Sequence, residues 1–130
     1  MDHTGVQQIE AVMNQKIVDF RQPLAAENSS PAADRILSGQ PAQSIANHYS
    51  DSTQQFFCGT WSSTPGKWRI RYSESEFCCL TKGRVVLENQ SGERWEFGPG
   101  MGFVVPSGFE GTWEVVETCT KFYAIFEART

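Results

Sequence analysis

At 130 residues the chain is long enough for one domain with a real core and too short for two. Its formal net charge of −4 and sequence pI near 5.1 exclude the basic face that nucleic acid or an anionic membrane requires. No segment approaches the ~20 apolar residues of a membrane helix, and the opening MDHTGVQQIEAVMNQKIVDF has neither a basic start nor a small-residue cleavage site, so a soluble cytoplasmic protein is expected.

The first elements are weak. IEAVMNQKIVDF reads as one short helix or strand, and RQPLAAENSSPAADRILSGQPAQ, rich in Pro, Ala, Ser and Gln, has little periodicity. Such composition predicts an arm lying over a neighbouring surface or a partly disordered leader, with Ile36, Leu37 and Ile45 as sparse anchors. From about Gly59 the pattern is β throughout. KWRIRY alternates Lys67, Arg69 and Arg71 against Trp68, Ile70 and Tyr72, the period of a strand with one wet face. EFCCLTKGRVVLENQSGERWEFGPG reads as a strand, a turn at Lys82-Gly83, the strand RVVLE, a hairpin turn in NQSGE and the strand RWEF. Gly83, Gly92, Gly98 and Gly100 fall where turns need positive φ. GFVVPSGFEGTWEVVE and KFYAIFE complete the set. Short, regularly spaced strands with glycine turns predict an all-β antiparallel barrel or jelly roll.

None of the four cysteines, Cys58, Cys78, Cys79 and Cys119, sits in a C-x-x-C pair, which excludes zinc-ribbon and thioredoxin-like motifs. Cys78 and Cys79 are adjacent in a strand and so face opposite ways. All four are expected as small buried hydrophobes in a reducing compartment. Nothing matches a nucleophile elbow, a phosphate loop or a Ser-His-Asp set, and both histidines, His3 and His48, lie in the N-terminal half.

GTWSSTPGKWRIRYSESEFCCLTKGRVVLENQSGERWEFGPG and GFVVPSGFEGTWEVVE together resemble a cupin. More narrowly, they resemble the small single-domain cupins grouped with the cupin domain of (S)-ureidoglycine aminohydrolase. The resemblance runs from about Ala33 to Glu127 and rests on Gly-x-Trp, Pro-Gly-x-Trp, Glu-Phe-Cys, Gly-x-Gly and Pro-x-Gly-Phe-x-Gly-x-Trp in that order. It implies a cupin double-stranded β-helix, an RmlC-like jelly-roll barrel, over residues 33–130, with an N-terminal arm over residues 1–32. It also implies a homodimer paired through its sheets. Metal-dependent cupins hold a divalent transition metal with two histidines one residue apart, a glutamate and a further histidine. By that pattern Glu76 stands at the glutamate, and the paired histidines fall on Arg69 and Arg71 or on Ile70 and Tyr72. The last histidine falls on Gly111. Glu76 and Cys78 then leave two candidate ligands on one strand face, with Glu74 needing a turn or bulge to join them, so no metal is expected.

With Trp68, Ile70 and Tyr72 turned inward, and Trp113 and Val115 inward by alternation from Gly111, the expected pocket is an aromatic cup. Its members are Tyr72, Glu76, Cys78, Phe103 or Val104, Trp113 and Tyr123, and the glycine at 111 is expected to open space beside Trp113. Such a concave apolar pocket with a few polar groups suits a small-molecule ligand. A jelly roll also needs aromatic filling, and Trp61, Trp68, Trp95 and Trp113 are each expected in the core before a ligand site. Glu76 is either a structural hydrogen-bond partner of Tyr72 or Tyr123, or a pocket carboxylate serving as general base or holding a substrate amine. Lys121, Arg69 and Arg71 are expected at the surface; turned inward, the two arginines would form an anion site. Three roles follow. One is a small-molecule-binding sensor, carrier or accessory protein in small nitrogen-compound metabolism. The second, by resemblance, is an aminohydrolase-like enzyme acting on a ureide or amino-acid-like substrate with Glu76 as its base. The third is an assembly domain whose own aromatics fill its pocket.

Overall fold

The computed structural model describes residues 15–129. The start of the N-terminal arm, with His3, lies outside the described residues. Nine strands form among those described: β1 (Glu27–Ser29), β2 (Ile36–Gly39), β3 (Gln43–Ser50), β4 (Phe56–Ser63), β5 (Gly66–Arg71), β6 (Ser75–Asn89), β7 (Arg94–Phe97), β8 (Gly102–Val105) and β9 (Glu110–Phe126). A 3-10 turn at Ala33–Arg35 precedes β2. The strands run in the order β1-β3-β4-β9-β5-β2, while β6 lies along β9 and carries β7 and β8. This antiparallel, curled sheet is the jelly-roll barrel expected from the sequence.

Two long strands shape the barrel. The first half of β9 lies between β5 and β6, where Trp113 faces Trp68 on one side and Leu87 on the other. Its second half lies between β4 and β6, where Tyr123 faces Gly59 and Cys78. Between the two halves the β6–β9 register shifts, from Leu80 to Val85, and Gly83 adopts φ +85°. A Cβ at Gly83 would collide with the Thr118 carbonyl oxygen, so only glycine lets the strands touch at this corner. The turn expected at Lys82-Gly83 is therefore a bend inside one 15-residue strand. For the same reason GTWEVVE and KFYAIFE are parts of one strand, because both flanks of the bulge keep pairing. Gly92 and Gly100 take the expected positive φ and Gly98 does not.

The segment before Gly59 contributes more strand than its composition suggested. β1, inside the arm, pairs with β3 through Glu27 opposite Ile45, and β3 pairs with β4. The β3 residues QSIANHYS are mostly half-covered on both faces, so neither face shows the apolar alternation that reveals a strand.

The core gathers Leu80, Val85, Leu87, Val105, Trp113 and Val115 between the two halves of the barrel. Trp68, Ile70 and Tyr72 do pack inward, and Arg69 and Arg71 are exposed. Cys78 is fully buried and Cys79 half-buried, on opposite faces as alternation requires, and all four cysteines are free thiols. Trp95 departs from the core expectation, being 37% exposed. It packs edge-on against Phe109, with ring centroids 6.4 Å apart, at the barrel's flank.

Candidate functional site

A cavity of about 400 Å³ opens among the inward faces of β4, β5, β6 and β9, with the 3-10 turn at its mouth. Alternation builds it. Glu76 on β6, Lys121 and Tyr123 on β9, and Trp61 on β4 all lie on the concave side of their strands and line it. Trp61 meets Trp113 edge-on at 5.7 Å between centroids, which makes a two-indole wall.

Lys121 corrects the sequence reading. Expected at the surface, it is 4% exposed. Its side chain runs diagonally along β6 from opposite Leu80, passes Cys78 with Nζ 3.6 Å from Sγ and reaches Glu76 Oε2 at 2.9 Å. The ammonium also sits over the rings of Trp61 and Trp113, 4.6 and 4.3 Å from their centroids, a cation–π arrangement that offsets part of its lost hydration. A signal for this was present: the period of two that turns Tyr123 inward turns Lys121 inward as well.

Both oxygens of the Glu76 carboxylate have a partner. Tyr72 Oη donates to Oε1 at 2.7 Å while Lys121 holds Oε2, and the residue is 4% exposed. Burial works against the charge on Lys121, yet Glu76 beside it holds the ammonium above the ordinary lysine range. Burial, reinforced by the Glu76 charge, raises Tyr72 well above an ordinary phenol. Burial also pushes the Cys78 thiol up to about 12, so it stays protonated. Tyr123, pushed up to about 12 by burial, donates its hydroxyl proton to Asn47 Oδ1 at 2.7 Å. This network is an internally neutralised floor. A general base at Glu76 would first have to break it.

Of the residues expected in the pocket, Tyr72, Glu76, Trp113 and Tyr123 come together on its lining. Cys78 lies behind the floor, fully buried beneath Lys121. Phe103 lies elsewhere: it stacks on Phe97 at 3.8 Å and lines a separate apolar cavity on the β7–β8 side, as does Val104. Gly111 does not open space beside Trp113. A Cβ there would collide with the Glu88 carbonyl oxygen, so the absent side chain makes room for β6 and not for a ligand. Missed by sequence reasoning were Lys121, Arg35 and Trp61 as lining groups. His48, outside the site, stacks on Phe20 at 4.8 Å.

The donor set does not fit the metal of the metal-dependent cupins. Among the described residues no three of His, Cys, Asp and Glu converge. The place between Glu76 and Cys78 where a cation would sit holds the Lys121 ammonium.

A family model described as the EutQ-like cupin domain matches residues 51–123. No curated protein matches the chain. Among solved structures, a protein of unknown function of the DUF861 family from Pseudomonas syringae pv. tomato is 27% identical with a TM-score of 0.74, covering 83% of this chain and 46% of its own. The chain thus spans about half the length of that relative. A predicted oxalate decarboxylase from Thermotoga maritima is 15% identical with a TM-score of 0.64, covering 87% of this chain and 100% of its own. A putative ethanolamine utilization protein Q from Salmonella typhimurium is 10% identical with a TM-score of 0.62, covering 82% of this chain and 99% of its own. At such identities the last two show likeness of fold alone.

Proposed function

The chain belongs to the EutQ-like cupin domain family, and from that premise we propose that it is a small-molecule-binding protein whose cavity works without a histidine-held metal centre. One observation carries this reading. The buried Lys121–Glu76 pair lies on the lining of an open cavity of about 400 Å³ instead of within closed core. Ligand sites have this form and size, with mostly apolar walls and a few fixed polar groups. An assembly domain with an aromatic-filled pocket would have closed this space. The aminohydrolase-like alternative asks Glu76 to accept a proton, and both its oxygens are engaged, so binding is the favoured role. A sensor, carrier or accessory role in small nitrogen-compound metabolism extends the proposal. Its support is the resemblance in fold to a protein described as acting in ethanolamine utilization.

The test is a thermal-shift screen of the intact chain against a library of small amines, ureides, amino acids and organic acids, with and without EDTA. Hits are expected to raise Tm equally in both and to lose their effect in Ile70→Trp, which narrows the cavity. A library without hits removes the binding role, and hits that vanish in EDTA restore a metal.

We also propose a homodimer formed through the outer face of the sheet. Phe77 pairs with Val104 and Ala124, Phe126 pairs with Phe56, and Tyr49 lies opposite Cys58. These rows put Val104, Phe77, Phe126, Phe56 and Tyr49 on one face with Phe122, each between 38% and 61% exposed. A contiguous apolar patch of this kind marks an association surface.

A further inference from the structure

We infer that the ligand is a small organic carboxylate with an apolar body, its charged group held by arginines at the cavity mouth. This rests on the binding role proposed above and adds the class of ligand. The chain carries a net charge of −4, yet the cavity is lined by Arg35, Arg69, Arg71 and Lys121 against Glu74 and Glu76 alone. Two of these cations are already matched: Lys121 by Glu76, and Arg71 by Glu110 at 3.1 Å. Among the described residues Arg35 and Arg69 have no carboxylate partner. β2 pairs with β5 only as far as Trp68, which leaves the β5 edge at Arg69 open beside the turn that carries Arg35. A positive mouth on an acidic protein selects anions, and guanidinium groups bind carboxylates by charge-assisted hydrogen bonds.

The interior points the same way. Lys121 places an ammonium on the lining, and Trp61, Trp68, Ile70 and Ile125 stand around it. An anionic group suits the arginines of the mouth, and an apolar body fills the space between the walls. Inorganic phosphate offers the first and lacks the second.

The experiment follows the four tryptophan indole N–H resonances of the intact, nitrogen-15-labelled chain in titrations with phenylacetate, phenylacetamide and inorganic phosphate. Phenylacetate is expected to shift the Trp113 resonance saturably. Phenylacetamide, of the same shape without charge, should bind at least ~10-fold more weakly, about the worth of one charge-assisted contact, and phosphate should not saturate. Arg69→Gln and Arg35→Gln, both exposed and tolerant of change, should weaken phenylacetate and leave phenylacetamide unaltered. Equal binding of acid and amide, or arginine variants that bind the acid as well as the parent, would overturn the carboxylate inference and leave the binding role standing. If neither phenyl compound saturates, the inference fails, while the library screen decides the binding role separately.

Discussion

Taking a carboxylate and an ammonium out of water costs several kcal/mol for each ion, and only close geometry with further hydrogen bonds returns it. The Lys121–Glu76 pair meets that condition through Tyr72, Cys78 and the two indole faces. Removing one partner should therefore be far worse than removing both. Lys121→Met is expected to lose ~3–5 kcal/mol in urea unfolding, and Lys121→Met with Glu76→Gln clearly less. The reverse order would mean that the pair is solvated in solution. The pH dependence has a fixed sign. The folded pKa of Lys121 is raised above its ordinary 10.5, so its contribution is complete below that value and is lost as pH climbs through the folded one. Cys78, raised from 9.0 to about 12, acts in the same direction and begins to weaken the fold above pH 9. The urea midpoint should thus fall in alkali. The double variant, keeping the thiol and losing the lysine, should show a shallower decline.

At the scale of elements, the corner between the halves of β6 and β9 decides whether the sheet closes. Gly83 is its hinge: it has positive φ, and the position of a Cβ is already taken by the backbone of Thr118 and Cys119. Gly83→Ala is expected to cost at least ~2 kcal/mol, through strain and overpacking together. Gly98 is the matched control. It has no positive φ and open space around it, so Gly98→Ala should stay within about 0.5 kcal/mol of the parent. Comparable losses at both sites would show that the corner tolerates a side chain. The same closeness governs Gly111 against Glu88, which is why a missing side chain at that position is no sign of a vacated ligand site.

At the scale of the molecule, one side of the barrel holds the cavity and the outer face of the sheet carries the apolar rows of β3, β4, β6, β8 and β9. Phe20, within the arm, packs edge-on against Phe122 at 5.4 Å and stacks on His48, so the arm already reaches this face. In light scattering, the proposed dimer should weigh about twice the 14.6 kDa chain, and Phe122→Asp should return it to one chain without loss of phenylacetate binding. A parent chain that elutes with the mass of one chain would remove the dimer.

The sequence alone determined the all-β class and the inward face of KWRIRY, because the period of two is a local property of extended backbone; Glu76 was singled out by the resemblance to cupins. Its spacing from Tyr123 carried a signal for the side on which Lys121 stands, but the sequence reading put that lysine at the surface. The sequence could not show what Lys121 meets in the interior. Glu76 and Lys121 are far apart in the chain and become partners only through the β6–β9 register, which brings Leu80 opposite Lys121 and lets a long side chain reach back to Glu76. Phe103 and Gly111 were misplaced for the same reason. Alternation separates two faces, but which strand lies across from each, and how closely, is fixed when the bent strands pack. Tertiary structure alone thus put an ammonium where the sequence pattern had suggested an emptied metal site.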